Sequence, residues 1–513
     1  MKTESALVDP EAVANAADAE AAQHAVAGEQ VAFGYCTATV TVWDTTLSQA
    51  HEKLSLVERI INGQGFVTHT EDLNAVEAWL GSHPGNVYAN VRRPLLHTLN
   101  LAHLMPSTAI WAGPEWNQHL DGPPLIYARS PGGTPFRLSF HDGDVGHTMI
   151  IGPTGAGKSV LLALCAVQWL RYEDAQIYYC DKGGSARAIT AGVGGQHYAL
   201  GGEGSLAFQP LAHIDDADER RWAATWVEGL LLQEHLSLTP ALREEIWLAL
   251  GNLATSTQTH RTLTGLAAVM QHNELRQALR PYTLDGPHGY LLDAEADGLA
   301  MGQWQCFEMD DLLQTPSAIA PVLTYLFHRI EQRLTGAPTL LVLDEAWIYL
   351  DHPLFAAQIR EWLKTLRKLN ASVIFASQSL ADAAESTIAA AITESCLTRI
   401  FLPNARAREE QVARYYRSYG LNSRQIALLA DATPARQYYY QGRQGNRVFE
   451  LDMGPIALAF CGVNSAEARA RVEELWSIAP ELFAERWLDE QGLEWAGDEL
   501  RAALDEKGVE GVK

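Results

Sequence analysis

The stretch Gly152–Ser159 constrains this chain more than any other, because it matches the pattern GxxxxGK[ST] in full. The residues before it, HTMII, have the apolar character of a strand, and the residues after it, VLLALCAVQWL, that of a helix. Glycines at these positions let several backbone N–H groups face one anion, and the following helix adds the positive end of its dipole. We therefore predict a nucleotide phosphate site built from Gly152, Pro153, Thr154, Gly155, Ala156, Gly157, Lys158 and Ser159.

Within that loop, Lys158 supplies a cation for the β- and γ-phosphates, and the Ser159 hydroxyl is a ligand for Mg²⁺. A second motif is the apolar run TLLVL, which ends in Asp344 and Glu345. A carboxylate at the C-terminal end of a buried parallel strand lies at the ligand-binding edge of the sheet. We predict that Asp344 holds Mg²⁺ together with Ser159 and that Glu345 orients or deprotonates the attacking water. The alternative is a helix start with acidic capping residues.

Four further polar residues, Gln378, Arg367, Arg399 and Asp181, are candidates for the predicted site. The apolar run SVIFASQS places Gln378 at a strand end, where it would sense the γ-phosphate and polarise the water, unless it is only a polar strand cap. Arg367 in LKTLRKLN is the first candidate for an arginine donated by a neighbouring subunit, and Arg399 in TRIFLPN is the second. A solvated helix face is the alternative for Arg367. Asp181 in CDKGG either polarises the metal shell or stabilises a turn.

Composition shifts and periodicity divide the chain into four segments. We expect an Ala/Glu-rich lead-in at 1–30 (a marginal helix or disordered), a partial N-terminal α+β domain at 31–125, and an α/β ATPase core at 126–465. The core carries a helical insertion at about 215–300, and a helical tail follows at 466–513.

Local patterns give more detailed expectations within these segments. In the N-terminal domain, VAFGYCTATVTVWD and GFVTHTED are predicted to be strands. The Gly/Pro-rich stretch GPEWNQHLDGPPLIYARSPGGTPFRLSF is predicted to be a linker. In the tail, the residues expected to pack are Trp476, Trp487 and Trp495.

The net charge of the chain limits the classes of partner that it can bind. A formal net charge of −24 disfavours a protein that depends on sequence-independent DNA affinity, although it allows a local basic DNA contact. The sequence has no signal-peptide pattern, and no apolar run approaches the ~20 residues that a membrane helix needs. We expect a cytoplasmic location, with membrane association through a partner or a surface face.

Several of these segments together resemble one family. GHTMIIGPTGAGKSVLLA, LAFQPL, YLFHRIEQRL, LLVLDEAW, IREWLKTLRKLNASVIFASQSLAD and TRIFLPNARA are similar to the TrbE-type conjugal transfer ATPases, within the CagE/TrbE/VirB group of type IV secretion motors. The resemblance runs from about Gly34 to the end of the chain. It implies a RecA-like core that uses ATP and Mg²⁺ in a homo-oligomer, usually a hexamer. It also implies a place beside other secretion components at the cytoplasmic face of the inner membrane, driving pilus assembly and substrate transfer.

One feature departs from the family pattern. Members are usually much longer, and this chain starts inside what resembles the second half of their N-terminal domain, so we expect a split or truncated product or a fragment. Two other functions remain open from the residues alone. One is a DNA-pumping motor of the coupling-protein or FtsK kind, and the other is a nucleotide-bound scaffold of the secretion complex.

Overall fold

The computed structural model describes residues 10–28, 31–63, 65–89, 91–105, 111–202, 206–300, 302–346, 353–386 and 388–510. Portions of the expected lead-in (1–9 and 29–30) and the last three residues of the expected tail lie outside these ranges. The chain divides into two units, Met1–Ile110 and Trp111–Lys513. In the described portion of the chain, no helix combines the length and the apolar character that a membrane crossing requires.

The boundary between the units falls earlier than the sequence predicted. The sequence placed it after residue 125, whereas the structure places it after Ile110. Trp111 shows the reason, because its ring lies 5.6 Å from the ring of Phe136 and 5.4 Å from that of Tyr440, both in the second unit. The Ala112 carbonyl also accepts a hydrogen bond from the backbone N–H of residue 137, at 2.8 Å.

The first unit contains four helices and a two-stranded antiparallel sheet among its described residues. These elements are α1 (Pro10–Ala27), β1 (Phe33–Tyr35), α2 (Leu47–Gly63), α3 (Ala75–Gly81), β2 (Leu95–His97) and α4 (Thr98–Leu104).

The predicted strands of this unit were largely wrong. Of VAFGYCTATVTVWD only Phe33–Tyr35 is a strand, and no described residue of GFVTHTED is in one. Strand propensity depends on packing against a covered face, and α2, α3 and α4 bury none of their described residues. The unit therefore offers little surface on which a longer sheet could form.

The second unit contains eleven described strands, which form one sheet. They are β3 (Ile126–Arg129), β4 (Pro135–Leu138), β5 (Thr148–Ile151), β6 (Gln176–Asp181), β7 (Gln196–Ala199), β8 (Trp304–Glu308), β9 (Thr339–Leu343), β10 (Ala371–Ser377), β11 (Thr398–Phe401), β12 (Gln437–Gln441) and β13 (Asn446–Glu450). Their spatial order is β4-β3-β13-β12-β11-β5-β10-β9-β6-β8-β7.

Helices cover this sheet. In chain order they are α5 (Lys158–Trp169), α6 (Arg187–Gly192), α7 (Ala217–Gln233), α8 (Pro240–Leu253), α9 (Leu263–Val269), α10 (Asn273–Leu279), α11 (Gly289–Leu292), α12 (Asp310–Leu313), α13 (Pro316–Glu331), α14 (Pro353–Thr365), α15 (Leu380–Glu385), α16 (Ala389–Ser395), α17 (Glu410–Ser418), α18 (Ser423–Asp431), α19 (Pro455–Cys461), α20 (Ala466–Ile478), α21 (Phe483–Glu490) and α22 (Glu494–Glu510). Short 3₁₀ turns occupy Gln258–His260, Arg280–Tyr282, Leu366–Leu369 and Pro480–Leu482.

The strands from β11 to β7 in this order are parallel, and apolar cores lie on both sides of them. All five residues of β9 and all seven of β10 are buried, as expected for strands covered on both faces. The helices α7 to α11 lie between β7 and β8, where the sequence predicted a helical insertion. The parallel arrangement brings the carboxyl ends of β5, β10 and β9 side by side, and the predicted α/β core is confirmed.

The stretch predicted to be a linker instead contributes strands to the main sheet. β3 and β4 pair antiparallel, and Phe136 and Leu138 of β4 are fully buried. Of the glycines and prolines that suggested a linker, Pro131, Gly132 and Gly133 form the tight turn between these strands, in which Gly133 has a φ of +79°. Turn residues and strand residues alternate too closely here for composition to separate them.

The tail after residue 465 is helical, as predicted. Trp487 is buried, and Trp476 packs against the same cluster. Trp495 was expected to pack but is 53% exposed, whereas the next residue of the same helix, Ala496, is buried, so this turn of α22 turns Ala496 and not Trp495 toward its neighbours.

Candidate nucleotide-binding site

The loop between β5 and α5 has the backbone geometry of an anion cradle. Gly155 and Gly157 have φ angles of +79° and +95°, which glycine adopts readily and other residues rarely do. Gly157 caps the N-terminus of α5, which begins at Lys158. Gly152 donates its N–H to the carbonyl of Ser377 at 3.1 Å and so ties the loop to the end of β10.

Lys158 is the buried charge at the centre of the site. Its side chain is 4% exposed, and its Nζ lies 2.7 Å from Oδ1 of Asp344. The same Nζ also contacts the Glu345 carboxylate. Burial raises the pKa of Asp344, and the nearby ammonium of Lys158 opposes that rise. The loop cation and the acidic pair therefore already face each other at the position where phosphate would lie.

Ladder hydrogen bonds fix the acidic pair at the sheet edge. The N–H of Asp344 donates to Cys180 of β6 at 3.0 Å, and the N–H of Ala346 donates to Ala376 of β10 at 3.1 Å. Glu345 lies between them with a φ of +54°, in the left-handed region. Such strain in a residue other than glycine concentrates at functional sites, where the surrounding structure imposes it.

Gln378 connects the acidic pair to the loop. Its backbone N–H donates to Oε2 of Glu345 at 3.4 Å, and its side-chain oxygen accepts a hydrogen bond from the Thr154 hydroxyl. Ser159, the second residue of α5, is half-buried and follows Lys158 directly. Contacts thus bring together five residues from three separate motifs: Thr154, Lys158, Asp344, Glu345 and Gln378.

Arg367 does not join this group. It lies in the 3₁₀ turn just before β10, with its side chain 45% exposed and 3.8 Å from the Asp144 carboxylate. β10 has seven residues, so at ~3.3 Å per residue roughly 20 Å separates this end from the nucleotide end. Arg367 therefore cannot reach the phosphate loop of its own chain.

Arg399 is engaged in its own chain. Its two terminal nitrogens donate to the backbone carbonyls of Thr393, at 2.6 Å, and Tyr419, at 3.1 Å. A guanidinium held in this way by backbone carbonyls has a structural role. Of the two candidate arginines, the geometry favours Arg367.

The sequence left two roles open for Asp181, polarising the metal shell or stabilising a turn, and its contacts are those of a turn residue. Its oxygens accept hydrogen bonds from the Ser185 hydroxyl and the Ala186 N–H, each at 2.8 Å. Burial raises the pKa of Asp181 to about 6, the Ala186 N–H counteracts this, and the charge of Asp344 adds to it. Its carboxylate therefore stabilises the turn after β6.

The other wall of the loop was missed by the sequence analysis. A Cβ on Gly152 would lie 2.2 Å from Cβ of Leu402, and one on Gly157 would lie 2.7 Å from the Tyr438 hydroxyl. Ala435 donates its N–H to the carbonyl of Ala156 at 3.0 Å. The contact between Tyr438 and Gly157 joins residues 281 positions apart, and no local pattern signals such a contact.

The residues fit a nucleotide with Mg²⁺. Curled loop amides, the helix N-terminus and a buried lysine suit a polyphosphate. The hydroxyl of Ser159 and the carboxylate of Asp344 are the hard oxygen ligands that Mg²⁺ prefers.

Two family models match the chain. Residues 267–439, which include the acidic pair and Gln378, match the TraG P-loop domain. Residues 2–92 match the CagE, TrbE, VirB family, described as a component of the type IV transporter system. A solved structure, that of VirB4 of Thermoanaerobacter pseudethanolicus, has a TM-score of 0.51 and 17% identity, covering 67% of this chain and all of that one. This likeness shows that the two chains share a fold.

Relatives with known names are similar along almost the whole chain. The conjugal transfer protein TrbE of Rhizobium radiobacter is 43% identical over 504 residues, which cover 96% of this chain and 61% of that protein. A probable conjugal transfer protein TrbE of Sinorhizobium fredii (strain NBRC 101917 / NGR234) is 42% identical over 501 residues, covering 96% of this chain and 75% of that protein. The chain therefore belongs to the TrbE family of conjugal transfer proteins.

Proposed function

We propose that this chain is the ATPase that energises a type IV secretion or conjugative transfer system, where it drives pilus assembly and the transfer of DNA or protein. The observation that carries the proposal is the contact of Lys158 with Asp344 and Glu345, which joins the phosphate loop to the acidic strand end. The resemblance to TrbE proteins supports the conjugative role.

We assign each residue of the site to a step of ATP hydrolysis. The loop amides and Lys158 bind the phosphates, so Lys158 exchanges its carboxylate partners for phosphate oxygens. Glu345, released from Lys158, then accepts a proton from the attacking water. The water oxygen bonds to the γ-phosphorus while the bond to the β–γ bridging oxygen breaks, giving ADP and phosphate. Gln378 orients that water beside the γ-phosphate.

Ser159 and Asp344 would hold Mg²⁺ at this site. When bound, Mg²⁺ supplies positive charge for the β- and γ-phosphate oxygens. Asp344 is 2% exposed, so its carboxylate is kept in place by packing and would need little rearrangement to serve as a ligand.

The position of Arg367 supports a homo-oligomer, and we favour a hexameric ring. A ring packs one face of a subunit against a different face of the next, so an arginine remote from its own loop can serve the neighbour's site. We further propose a cytoplasmic position at the periphery of the inner membrane, beside other type IV secretion components.

A pair of loop and acid variants tests the proposal. Lys158→Ala is expected to abolish binding of ATP with Mg²⁺. Glu345→Gln is expected to keep ATP affinity near that of the wild type while phosphate release falls by about a hundredfold or more, the scale of a lost general base. Equilibrium binding and steady-state phosphate release measure the two effects.

The matched control is Glu394→Gln, which makes the same chemical change at an exposed position on α16. It should release phosphate at the wild-type rate. Equal and measurable turnover of wild type and Glu345→Gln would reject the water-activation role. Absence of measurable turnover in both proteins, at concentrations that allow oligomers, would favour a nucleotide-bound scaffold.

A DNA-translocating motor of the coupling-protein or FtsK kind is the second candidate, because such a motor would use the same P-loop core. The net charge of −24 leaves a local DNA contact as the route for such a motor. Turnover that DNA stimulates at physiological salt would favour this candidate, whereas turnover indifferent to DNA would favour the secretion motor.

A further inference from the structure

The groups that would face the γ-phosphate all lie on one side of the phosphate loop. Glu345 follows β9 and Gln378 follows β10, and β10 is the neighbour of β5 on that side. A bound triphosphate extends along the loop away from these groups. The nucleoside would therefore leave on the other side of β5, where β11 and then β12 lie.

A tight turn occupies that other side. This turn, residues 433–436, leads directly into β12 and is called the 433–436 turn below. Its Ala435 N–H bonds to the Ala156 carbonyl of the loop at 3.0 Å. Its backbone also approaches Gly157 closely, because a Cβ on Gly157 would lie 2.9 Å from Cα of Ala435. The turn is thus the wall of the loop opposite the acidic pair.

Hydrogen bonds hold the turn in shape without help from a ligand. Gln437 accepts the Thr433 N–H on its side-chain oxygen at 2.9 Å, and its own N–H donates to the Thr433 carbonyl at 3.0 Å. The Arg436 carbonyl accepts the N–H of Leu451 at 3.0 Å. Ala435 has a φ of +57°, a strained conformation that its bond to the loop helps to maintain.

The turn nevertheless exposes one cationic side chain, that of Arg436, where a ligand could contact it. All four of its residues are exposed, although the turn contacts the loop. The Arg436 side chain is 55% exposed and lies 3.6 Å from the Glu450 carboxylate. Glu450 also accepts a hydrogen bond from Gln437 at 2.8 Å and pairs with Arg129 at 3.3 Å. The Glu450 side chain is only 9% exposed and has these other partners, so the contact at 3.6 Å leaves the exposed Arg436 guanidinium loosely held.

We propose that the 433–436 turn forms the nucleoside wall of the ATP site and that the Arg436 guanidinium packs against the face of the purine. The planar guanidinium suits this contact, because it stacks on aromatic rings more readily than an ammonium does. This inference rests on the proposed function and deepens it. It assigns affinity for the base to a segment outside the phosphate loop.

The experiment compares a ligand that has a base with one that has none. ATP and inorganic triphosphate, each with Mg²⁺, are titrated calorimetrically into the wild-type chain, Arg436→Ala and Arg443→Ala. Arg443 is the matched control, since it is also exposed and loosely paired, 3.7 Å from Asp142, but lies beyond the far end of β12. Arg436→Ala should weaken ATP binding by about threefold to thirtyfold, the range of a cation–π contact, and change triphosphate binding by less than about twofold. Arg443→Ala should change neither.

A second variant tests the turn itself. Ala435→Pro removes the N–H that bonds to the loop and cannot adopt a positive φ. It should also weaken ATP more than triphosphate. Wild-type ATP affinity in both variants, or equal losses for ATP and triphosphate, would overturn the inference. If Lys158→Ala still bound both ligands, the proposed function itself would fail, whereas loss of both ligands in Lys158→Ala with no effect of Arg436→Ala would reject only the nucleoside wall.

Discussion

At the scale of single residues, burial determines which charged side chains of this site need a partner. Lys158 and Asp344 are both almost fully buried, and they are tolerated because they lie 2.7 Å apart. Asp181 lies at the end of the neighbouring strand without a cation contacting it among the described residues, and its oxygens are satisfied by neutral donors. Burial consequently raises the pKa of Asp181 to about 6, from an ordinary value of 3.8.

This shift predicts a pH dependence of stability. Between about pH 4 and pH 6 the folded chain keeps the proton on Asp181 while the unfolded chain has released it, so the folded form binds more protons. The contribution of Asp181 to the free energy of unfolding therefore falls as pH rises through this window. At roughly 1.4 kcal/mol per pKa unit, the stability difference between wild type and Asp181→Asn should change by up to about 3 kcal/mol from pH 4 to pH 6.

Urea unfolding of the two proteins at pH 4, 5, 6 and 7 measures this difference. The control is Asp285→Asn, which changes an exposed carboxylate and should keep a constant offset from the wild type. A constant offset for Asp181→Asn as well would show that burial does not perturb this carboxylate.

Between elements, the phosphate loop is held from two sides. β10 anchors it through Ser377, and the segment that leads into β12 packs against Gly157. Gly155 has a similarly positive φ, but a Cβ there would meet no atom within 4 Å. Substitution of Gly155 would therefore introduce backbone strain alone. Substitution of Gly157 would add a steric collision with the segment that leads into β12.

Both glycines can be tested by the same substitution. Gly155→Ala should cost about 1–2 kcal/mol of stability from the positive φ alone. Gly157→Ala should cost about 1–3 kcal/mol more, because its Cβ would collide with the Tyr438 hydroxyl and with Ala435. Thermal unfolding midpoints report both values.

Adding Tyr438→Phe to Gly157→Ala removes the hydroxyl that lies 2.7 Å from the new Cβ and should recover some of the loss. The single variant Tyr438→Phe is the reference, since it loses only a 3.4 Å hydrogen bond to the Gly157 carbonyl. Equal stabilities of Gly155→Ala and Gly157→Ala would contradict the collision.

For the molecule as a whole, the two ends of the parallel strands carry different residues of the proposed active site. The loop and acidic residues lie at the carboxyl ends, whereas Arg367 lies before the first residue of β10. Its turn is anchored by Asn370, which bonds through its side chain to His119 and to the Gly336 carbonyl, each at 3.0 Å. A head-to-tail assembly would present this anchored arginine to a neighbouring loop.

Mixing two inactive variants tests this assembly. Lys158→Ala and Arg367→Ala should each lose turnover alone, the second by about a thousandfold or more. Mixed in equal amounts, they should recover about a quarter of wild-type turnover, because a subunit with an intact loop then often borders one with an intact arginine. Lys368→Ala, an exposed neighbour, should remain active by itself. Background turnover in the mixture would reject a role in the neighbouring site.

The sequence by itself was enough to predict which residues form the proposed nucleotide site. The glycine loop, the acidic pair and the strand-end glutamine are runs of consecutive residues, and such runs report local geometry that survives in almost any packing. Buried parallel strands are continuously apolar because both faces are covered, so the polar residue that ends each run marks the ligand edge. Gly152 to Ser159, Asp344, Glu345 and Gln378 could therefore be selected without a structure.

Only the tertiary structure decided the features that depend on distant residues. It placed Arg367 at the opposite edge from the loop, assigned Asp181 to a turn, turned a predicted linker into β3 and β4, and set the 433–436 turn against Gly157. The 281 positions between Gly157 and Tyr438 show why, since a contact over such a separation leaves no periodicity or spacing in the chain. Local sequence patterns therefore indicate which groups can bind a phosphate, and long-range packing determines which residues surround those groups.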